Sequence, residues 1–486
     1  MNMTVEENSI KCFTNRVNEA AKFISEYALK DGFVHVVSHL DCDGLAAAGI
    51  IGKALWKLNV DFRVRVQQWV DEKIVSEIAS DKPALTILTD LGSGYLDVLG
   101  EHLTNHQIVI LDHHQPVGEA TPNILEVNPH LCGIDGSKDV SGAGVAYFVA
   151  KALDETNKSL SCMAIVGALG DMQDKYEKRS LGGLNERIVE DAIDSSCLKV
   201  EKDLMFFGRE TRPIHKALAH TTTPFLPGIS GEEGKSWAFL KSLEIPVKIG
   251  DKWRALRDLS EEEKRRLCSA LSDHLVSKGY ASNVLSLVGT VYVLVREEPW
   301  TCLRDAREFS VLLNSTGRLE KAGLGVSICM GDRGEALELA REILVEYRRS
   351  ITEYLSWLSA EPSRIEELDN IYVVHGGDFI NEKVIGTLSS ILSTSLSRAS
   401  EKPIIAYAEV AEEDIVKVSA RTLDVLTNKG LDLGEVMREA AEELDGKGGG
   451  HNIAAGAQVP SKNVNSFIKL VDRIVKKRME QIAAGS

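Results

Sequence analysis

In four places within the first 175 residues an ordered apolar pattern ends and a cluster of aspartate or histidine begins at once. Three of the clusters follow runs of strand character: VVSHLDCDG (36–44), ILTDLGSG (87–94) and VILDHHQP (109–116). The fourth, ALGDMQD (168–174), follows a helical pattern. The apolar runs FVHVV (33–37), ALTIL (84–88), QIVIL (107–111) and NILEV (123–127) are short and bounded by turn signals, which marks them as strands. Helical patterns at LAAAGIIGKALWKL (45–58), GAGVAYFVAKALDE (142–155) and LSCMAIVGALG (160–170) accompany them. Alternation of this kind predicts an α/β fold, a mostly parallel sheet with helices on both faces. Residues just beyond the carboxyl ends of such strands line a shared crevice, so the clusters are expected to converge.

The residue types then suggest a chemistry. Alternate residues of an extended segment point the same way, so His39, Asp41 and Asp43 can turn one imidazole and two carboxylates toward one point, with Gly44 giving room for the turn into the next helix. Oxygen and nitrogen donors without thiolate suit Mn²⁺, or Mg²⁺, better than a structural zinc. Two such cations about 3.5–4 Å apart can activate a water and clamp a leaving oxygen, but they need a carboxylate between them. Asp90 is the expected bridge, with His39 and Asp41 completing one site and Asp43, His113 and Asp171 the other. His114, beside a ligand, is placed to donate to a phosphate oxygen or the leaving group. A lone aspartate after a strand is ordinarily a cap or turn residue. It is the recurrence at four element ends that favours a site.

A formal net charge of −16 argues against a protein that coats nucleic acid by bulk electrostatics. A polyanion would have to be held locally, where bound cations offset carboxylates. The eight cysteines are far apart and form no C-x-x-C pair, which argues against a zinc cluster or disulfide framework and predicts reduced core thiols. No apolar stretch reaches membrane-spanning length and MNMTVEENSI lacks the build of a signal peptide, so a cytoplasmic protein without a membrane partner is expected.

From about residue 205 the pattern shifts to charged helical stretches, including SEEEKRRLCSALSDHLV (260–276) and RGEALELAREILVEYRRSITEYLSWLSAE (333–361). After EPSR (361–364), IYVVHG (371–376), PIIAYAEV (403–410) and DIVKVSA (414–420) read as strands and LGEVMREAAEELDG (433–446) as a helix. The expected organisation is a catalytic domain over 1–205, a mainly helical insertion and connecting helix over 206–362, and a small α/β domain over 363–486.

These motifs resemble the DHH phosphoesterase superfamily, whose signatures stand here as SHLDCDG, the aspartate of LTD, LDHH and the aspartate of GALGD. The resemblance implies metal ligands at His39, Asp41, Asp43, Asp90, His113 and Asp171, and makes Asp112 a group that orients a ligating imidazole. KGGGHNIAAGAQV (447–459) is similar to the glycine-rich motif of a DHHA1 domain, which implies phosphate contacts from Gly448, Gly449, Gly450 and His451. The glycines could expose consecutive N–H groups as an anion nest. Within VSARTLD, Ser419 and Arg421 match the place where RecJ-like proteins put a phosphate-binding arginine. The middle region resembles archaeal RecJ-like proteins, including a GINS-associated nuclease. It leaves Arg209, Arg212, Asn314 and Arg318 open between binding substrate and holding domains together, an ordinary salt bridge being the default role of an isolated arginine.

What the resemblance implies is a single-strand exonuclease, removing terminal nucleotides from DNA or RNA by a two-metal mechanism, with docking to GINS or the replicative helicase as a further expectation. RecJ nucleases run 5′ to 3′, while archaeal relatives vary in polarity and in the choice of DNA or RNA. Two alternatives stand beside it. One is a phosphodiesterase for short oligoribonucleotides or cyclic dinucleotides, or a pyrophosphatase, against which the long middle region argues. The other is a replisome scaffold, against which the complete ligand set argues.

Overall fold

The computed structural model describes residues 5–485 except 29, 31, 222, 223, 397, 398, 411 and 412. Residues 1–4 of the opening segment and the last residue thus lie outside the described residues. The chain divides into two compact units, 1–344 and 345–486.

The first unit opens with α1 (Val5–Ala28), β1 (Val34–His39), α2 (Cys42–Lys57), β2 (Phe62–Gln67), α3 (Glu72–Asp81), β3 (Leu85–Thr89), α4 (Leu96–His102), β4 (Ile108–Leu111) and β5 (Ile124–Val127). The five strands form one sheet in the order β2-β1-β3-β4-β5, every pair parallel. Alternate residues of the strands enter two different cores. Val36, Ile87, Val109 and Leu111 pack with α1 and α2, whereas Val37, Leu88, Ile108 and Ile110 pack with Ile74 and Ile78 of α3 and Leu96 and Leu99 of α4. Burial on both faces explains why these strands read as continuous apolar runs.

The fifth strand, β2, was not among the expected strands because its sequence, FRVRVQ, carries two arginines. It is an edge strand with period-2 alternation. Arg63 and Arg65 pair with Asp81 and Glu77 of α3, a charged edge of the kind that discourages further strand addition.

The unit continues with α5 (Gly142–Leu153), α6 (Ser161–Gly170), α7 (Leu184–Asp194), β6 (Leu198–Leu204), α8 (Ile214–Ala219), α9 (Glu233–Ser242), the short strands β7 (Lys248–Ile249) and β8 (Lys252–Trp253), α10 (Glu261–Ser277), β9 (Val288–Leu294), α11 (Ala306–Arg318) and α12 (Ala322–Cys329). The middle region is mainly helical, as expected, around its own apolar cluster that includes Leu218, Leu256, Leu267 and Leu271. It also holds an antiparallel pair, β6 with β9. The pair escapes a local reading because its partners are separated by the whole helical segment.

One expectation about cysteine fails. Cys12 on α1 is disulfide-bonded to Cys132, 120 residues away. Nothing in the local spacing could reveal the pair, because packing of α1 beside the loop after β5 is what brings the residues together. Cys42, Cys162, Cys197, Cys268 and Cys329 are free thiols.

The long helix α13 (Glu335–Ala360) carries the boundary between the units. The second unit adds β10 (Ile365–Glu367), β11 (Tyr372–His375), α14 (Ile385–Ser395), β12 (Ile404–Glu409), β13 (Ile415–Arg421), α15 (Asp424–Thr427), α16 (Leu433–Glu442), β14 (Lys447–Gly450), β15 (Ala454–Pro460) and α17 (Val464–Gly485). Its six strands form a mixed sheet in the order β10-β11-β12-β13-β15-β14, parallel only between β11 and β12. The apolar faces of α16 and α17 close over it, with Met437, Phe467 and Val471 fully buried. No helix among the described residues is long and apolar enough to cross a membrane.

Candidate metal centre

The carboxyl ends of β1, β3 and β4 and the end of α6 deliver their acids and histidines to one place in the first unit. His39 is the last residue of β1, and Asp41 caps α2, its carboxylate accepting from the Gly44 amide at 3.1 Å. Asp43 lies in the first turn of α2 and reaches the start of α5, where the amides of Gly142 and Ala143 donate to its two oxygens at 2.6 and 3.1 Å. Asp90 follows β3, His113 and His114 follow β4, and Asp171 is the C-terminal cap of α6.

Two triads of ligand atoms result, one from His39, Asp41 and Asp90 and one from Asp43, His113 and Asp171. Asp90 lies between them. Its Oδ2 is 3.6 Å from His39 Nδ1 and its Oδ1 3.2 Å from His113 Nε2. The Asp90 side chain is 1% exposed, and neither oxygen has a hydrogen-bond partner. Its backbone φ of +55° is in the left-handed region, sparsely populated by residues other than glycine, so surrounding structure must impose it. Gly142 packs so closely that a Cβ there would stand 2.6 Å from the Asp90 Cβ and Oδ1. A buried carboxylate with no hydrogen bond is costly unless a cation completes it. On that ground the donor set fits divalent metal ions. Cys42, between Asp41 and Asp43, does not join it: its buried thiol lies 3.4 Å from the Val166 carbonyl oxygen.

The His113 ring has a defined tautomer. Its Nδ1 lies 2.7 Å from the Gly136 carbonyl, which can only accept, so Nδ1 donates and Nε2 is the nitrogen that faces the carboxylates and would take a metal ion. Asp112 orients the other imidazole: Oδ1 accepts from His114 Nδ1 at 2.8 Å and from both histidine amides, while Oδ2 accepts from the Ser93 amide at 2.9 Å. The sequence expectation that Asp112 orients a ligating imidazole is therefore adjusted. The ring it holds is that of His114, which stands outside both triads but forms with Asp90, Asp112 and His113 a third group whose ligand atoms lie close together. The His114 side chain is 41% exposed, open to a substrate.

Crowding moves the protonation equilibria. Burial opposes a charged His39, but the carboxylates of Asp41 and Asp90 prevail and push its imidazole up to about 10. His113 is likewise raised in spite of burial, by Asp171, Asp90 and Asp43. Burial and then the neighbouring Asp90 raise Asp43. Burial dominates at Asp171, which is also raised. Without cations the cluster would hold protons, so metal binding should release them.

Gln173 escaped the sequence reading, and Asn314, left open there, now has a partner. Gln173, within the quoted ALGDMQD segment, donates from Nε2 to the Asp171 carboxylate at 2.9 Å. Farther along the chain, Asn314 Oδ1 accepts from the Cys42 amide at the start of α2. Gly317 lets α11 touch the metal-site loop, since a Cβ there would overlap the Leu40 carbonyl oxygen. Arg318 helps hold the Asp41 carboxylate below the usual range, after its closer partners His39 and Gly44 and against burial. Arg209, by contrast, is buried with Asp203 and near Glu201 and Glu210, and Arg212 stacks on Phe207. The two arginines are built into the fold.

In the second unit, Ser419 and Arg421 lie on β13. Ser419 pairs with Gly456 of β15, which pairs with Gly449 of β14, so Ser419 and Gly449 share one row of the sheet. Arg421 Nε donates to Ser390 Oγ at 3.0 Å, and Ser419 shares a hydrogen bond with Ser389. The expected glycine nest is a correction: Gly448, Gly449 and Gly450 form an edge strand, whose successive N–H groups point to opposite sides instead of into one concavity. His451 follows directly, its amide donating to the Ala454 carbonyl.

A parallel sheet that gathers three aspartate-histidine clusters beyond its strands, with a fourth from the end of a helix, defines the class, and the chain belongs to the DHH family. Residues 33–169 match the DHH family N-terminal domain, 206–288 the DHH-CID domain and 369–477 the DHHA1 domain. An uncharacterised protein of Methanocaldococcus jannaschii is 32% identical over 474 residues, covering 96% of this chain and 98% of that one. A Bacillus subtilis protein named as a prophage-derived single-strand DNA-specific exonuclease is 24% identical over 189 residues, 37% of this chain and 32% of its own. Among solved structures, manganese-bound RecJ of Thermus thermophilus shares the fold with a TM-score of 0.57 at 20% identity. The match covers 95% of this chain but only 55% of that one. CDC45 of Entamoeba histolytica gives 0.62 at 13% identity, over 95% of this chain and 99% of that one.

Proposed function

We propose that this protein is a metal-dependent phosphodiesterase that removes nucleotides from an end of single-stranded DNA or RNA. The observation that carries the reading is Asp90, a buried carboxylate without hydrogen bonds, set between two triads of oxygen and nitrogen donors. His39 and Asp41 would hold one divalent cation, Asp43, His113 and Asp171 the other, with Asp90 between them and Mn²⁺ the favoured ion. When bound, the pair supplies Lewis-acid polarisation of the phosphoryl group and a lowered pKa for the attacking water.

The chain's own residues do the rest. Asp112 fixes the His114 ring with Nδ1 as donor, presenting Nε2 at an exposed position from which it can bind a phosphate oxygen or exchange a proton with the leaving group. Arg421, held by Ser390 through Nε and by the Ala420 carbonyl through Nη1, places a guanidinium charge for the backbone phosphate. Similarity to the Bacillus protein named as a single-strand DNA-specific exonuclease supports the single-strand substrate.

A second reading, carried over from the sequence, is a replisome component that docks on GINS through the helical middle region. All six ligand positions retain ligand-type residues, so the two roles are compatible in one protein.

The test is digestion of end-labelled single-stranded DNA and RNA in Mn²⁺ by the wild type and Asp90→Ala, beside duplex and cyclic dinucleotide substrates. Stepwise shortening from one end, abolished in Asp90→Ala, is expected and gives the polarity. Absence of cleavage of every substrate by the wild type would leave the scaffold role as the function.

A further inference from the structure

The ligands of the second triad are held in place by different means. Asp43 is fixed by the two amides at the start of α5, and His113 by the Gly136 carbonyl. Among the described residues, the only hydrogen bond to the Asp171 carboxylate comes from Gln173. The Asp171 side chain is also the most exposed of the three, 23% against 1% for each of the others, so packing alone does not fix it.

Gln173 is fully buried. Its Nε2 lies 2.9 Å from Asp171 Oδ2, 2.9 Å from the Gly136 carbonyl that receives His113, and 3.3 Å from the Val140 carbonyl. The carboxylate and the two carbonyls only accept, so the amide turns its nitrogen toward them, its two hydrogens matching the two shorter contacts, with the donor His113 Nδ1 farther off at 3.5 Å. On the other side Asn185 of α7, itself buried, donates from Nδ2 to Gln173 Oε1 at 2.7 Å. One amide therefore ties the support of His113 to the carboxylate of Asp171, and α7 sets which way that amide faces.

We propose that Gln173 is a positioning residue that sets the affinity of the Asp43, His113 and Asp171 site for its cation, and reaches the His39, Asp41 and Asp90 site only through the shared Asp90. The proposal rests on the reading that the cluster takes two divalent cations. Removing an outer hydrogen-bond partner of a metal ligand typically costs ten- to a hundredfold in metal affinity. Here the loss falls chiefly on one of two neighbouring sites, which general damage to the fold would not produce.

The experiment is Mn²⁺ titration of the full-length protein by calorimetry, with free Mn²⁺ read by electron paramagnetic resonance, for the wild type, Gln173→Met and Asn185→Asp. Methionine keeps the volume and removes the donors, and melting in chelator reports whether the fold survives. Should that variant not fold, Asn185→Asp carries the test alone: it leaves Gln173 in place but puts an acceptor against Oε1, turning the amide so that its oxygen faces Asp171. The expected result is two sites in the wild type and, in each folded variant, one site weakened ten- to a hundredfold and the other weakened by clearly less. Two unchanged sites, or equal weakening of both, would overturn the proposal. A wild type that binds no Mn²⁺ would instead remove the two-cation reading itself.

Discussion

Oδ1 of Asp90 lies 3.2 Å from Nε2 of His113, and both groups are 1% exposed. The contact joins the two halves of the candidate centre, since Asp90 belongs to the His39 triad and His113 to the Asp171 triad. Metal should therefore stabilise the fold through Asp90. A ligand bound only by the native state adds about 2.7 kcal/mol per site at a hundred times its Kd. Thermal unfolding of the wild type with and without Mn²⁺ should show that gain, and Asp90→Ala should abolish most of it.

His114 is assigned to chemistry, outside both triads. His114→Gln is expected to lower kcat by about 10²–10⁴-fold, the usual contribution of positioned proton transfer, while Mn²⁺ affinity stays at the wild-type value. Parallel turnover and titration measurements separate the roles, and a loss of Mn²⁺ affinity would make His114 a ligand.

Arg421 should act on substrate binding. A hydrogen bond to a charged group contributes about 1.5–3 kcal/mol, so Arg421→Ala should raise KM about ten- to a hundredfold with metal binding intact. Arg421→Lys should recover only part of this, because an ammonium cannot reproduce the planar fork. Steady-state kinetics on single-stranded oligonucleotides checks both.

Much of this centre was legible in the sequence. His39, Asp41, Asp43, Asp90, His113 and Asp171 could be grouped because each follows an element end, and the crevice of a parallel sheet is a property of topology. What supports them was not legible. Gln173 looks like any glutamine in a turn until Gly136 and Asn185 are seen around it, and Asn314 bonds the Cys42 amide across 272 residues of sequence. The glycines at 448–450 misled because glycine suggests a loop, whereas pairing with β15 makes them a strand. FRVRVQ was missed because its arginines masked a period-2 pattern that suits an edge.

Stability should depend on pH through Glu308, away from the metal centre. Burial, reinforced by Asp305, pushes its carboxyl up to about 7, against the bonds it accepts from Thr211 and the Glu210 amide. A folded-state value raised above the ordinary 4.5 means that the native state binds the extra proton. The stabilisation is complete below about 4.5 and is lost as pH rises through about 7. Urea midpoints measured in chelator between pH 5 and 8 should fall for the wild type, and Glu308→Gln should remove that part of the slope.

The central claim is that two cations share Asp90, and anomalous diffraction from crystals grown with Mn²⁺ tests it most directly. The account predicts two peaks about 3.5–4 Å apart, one beside His39 and Asp41, the other beside Asp43, His113 and Asp171, with the Asp90 carboxylate between them. A single peak, or peaks that leave Asp90 without a metal contact, would contradict it.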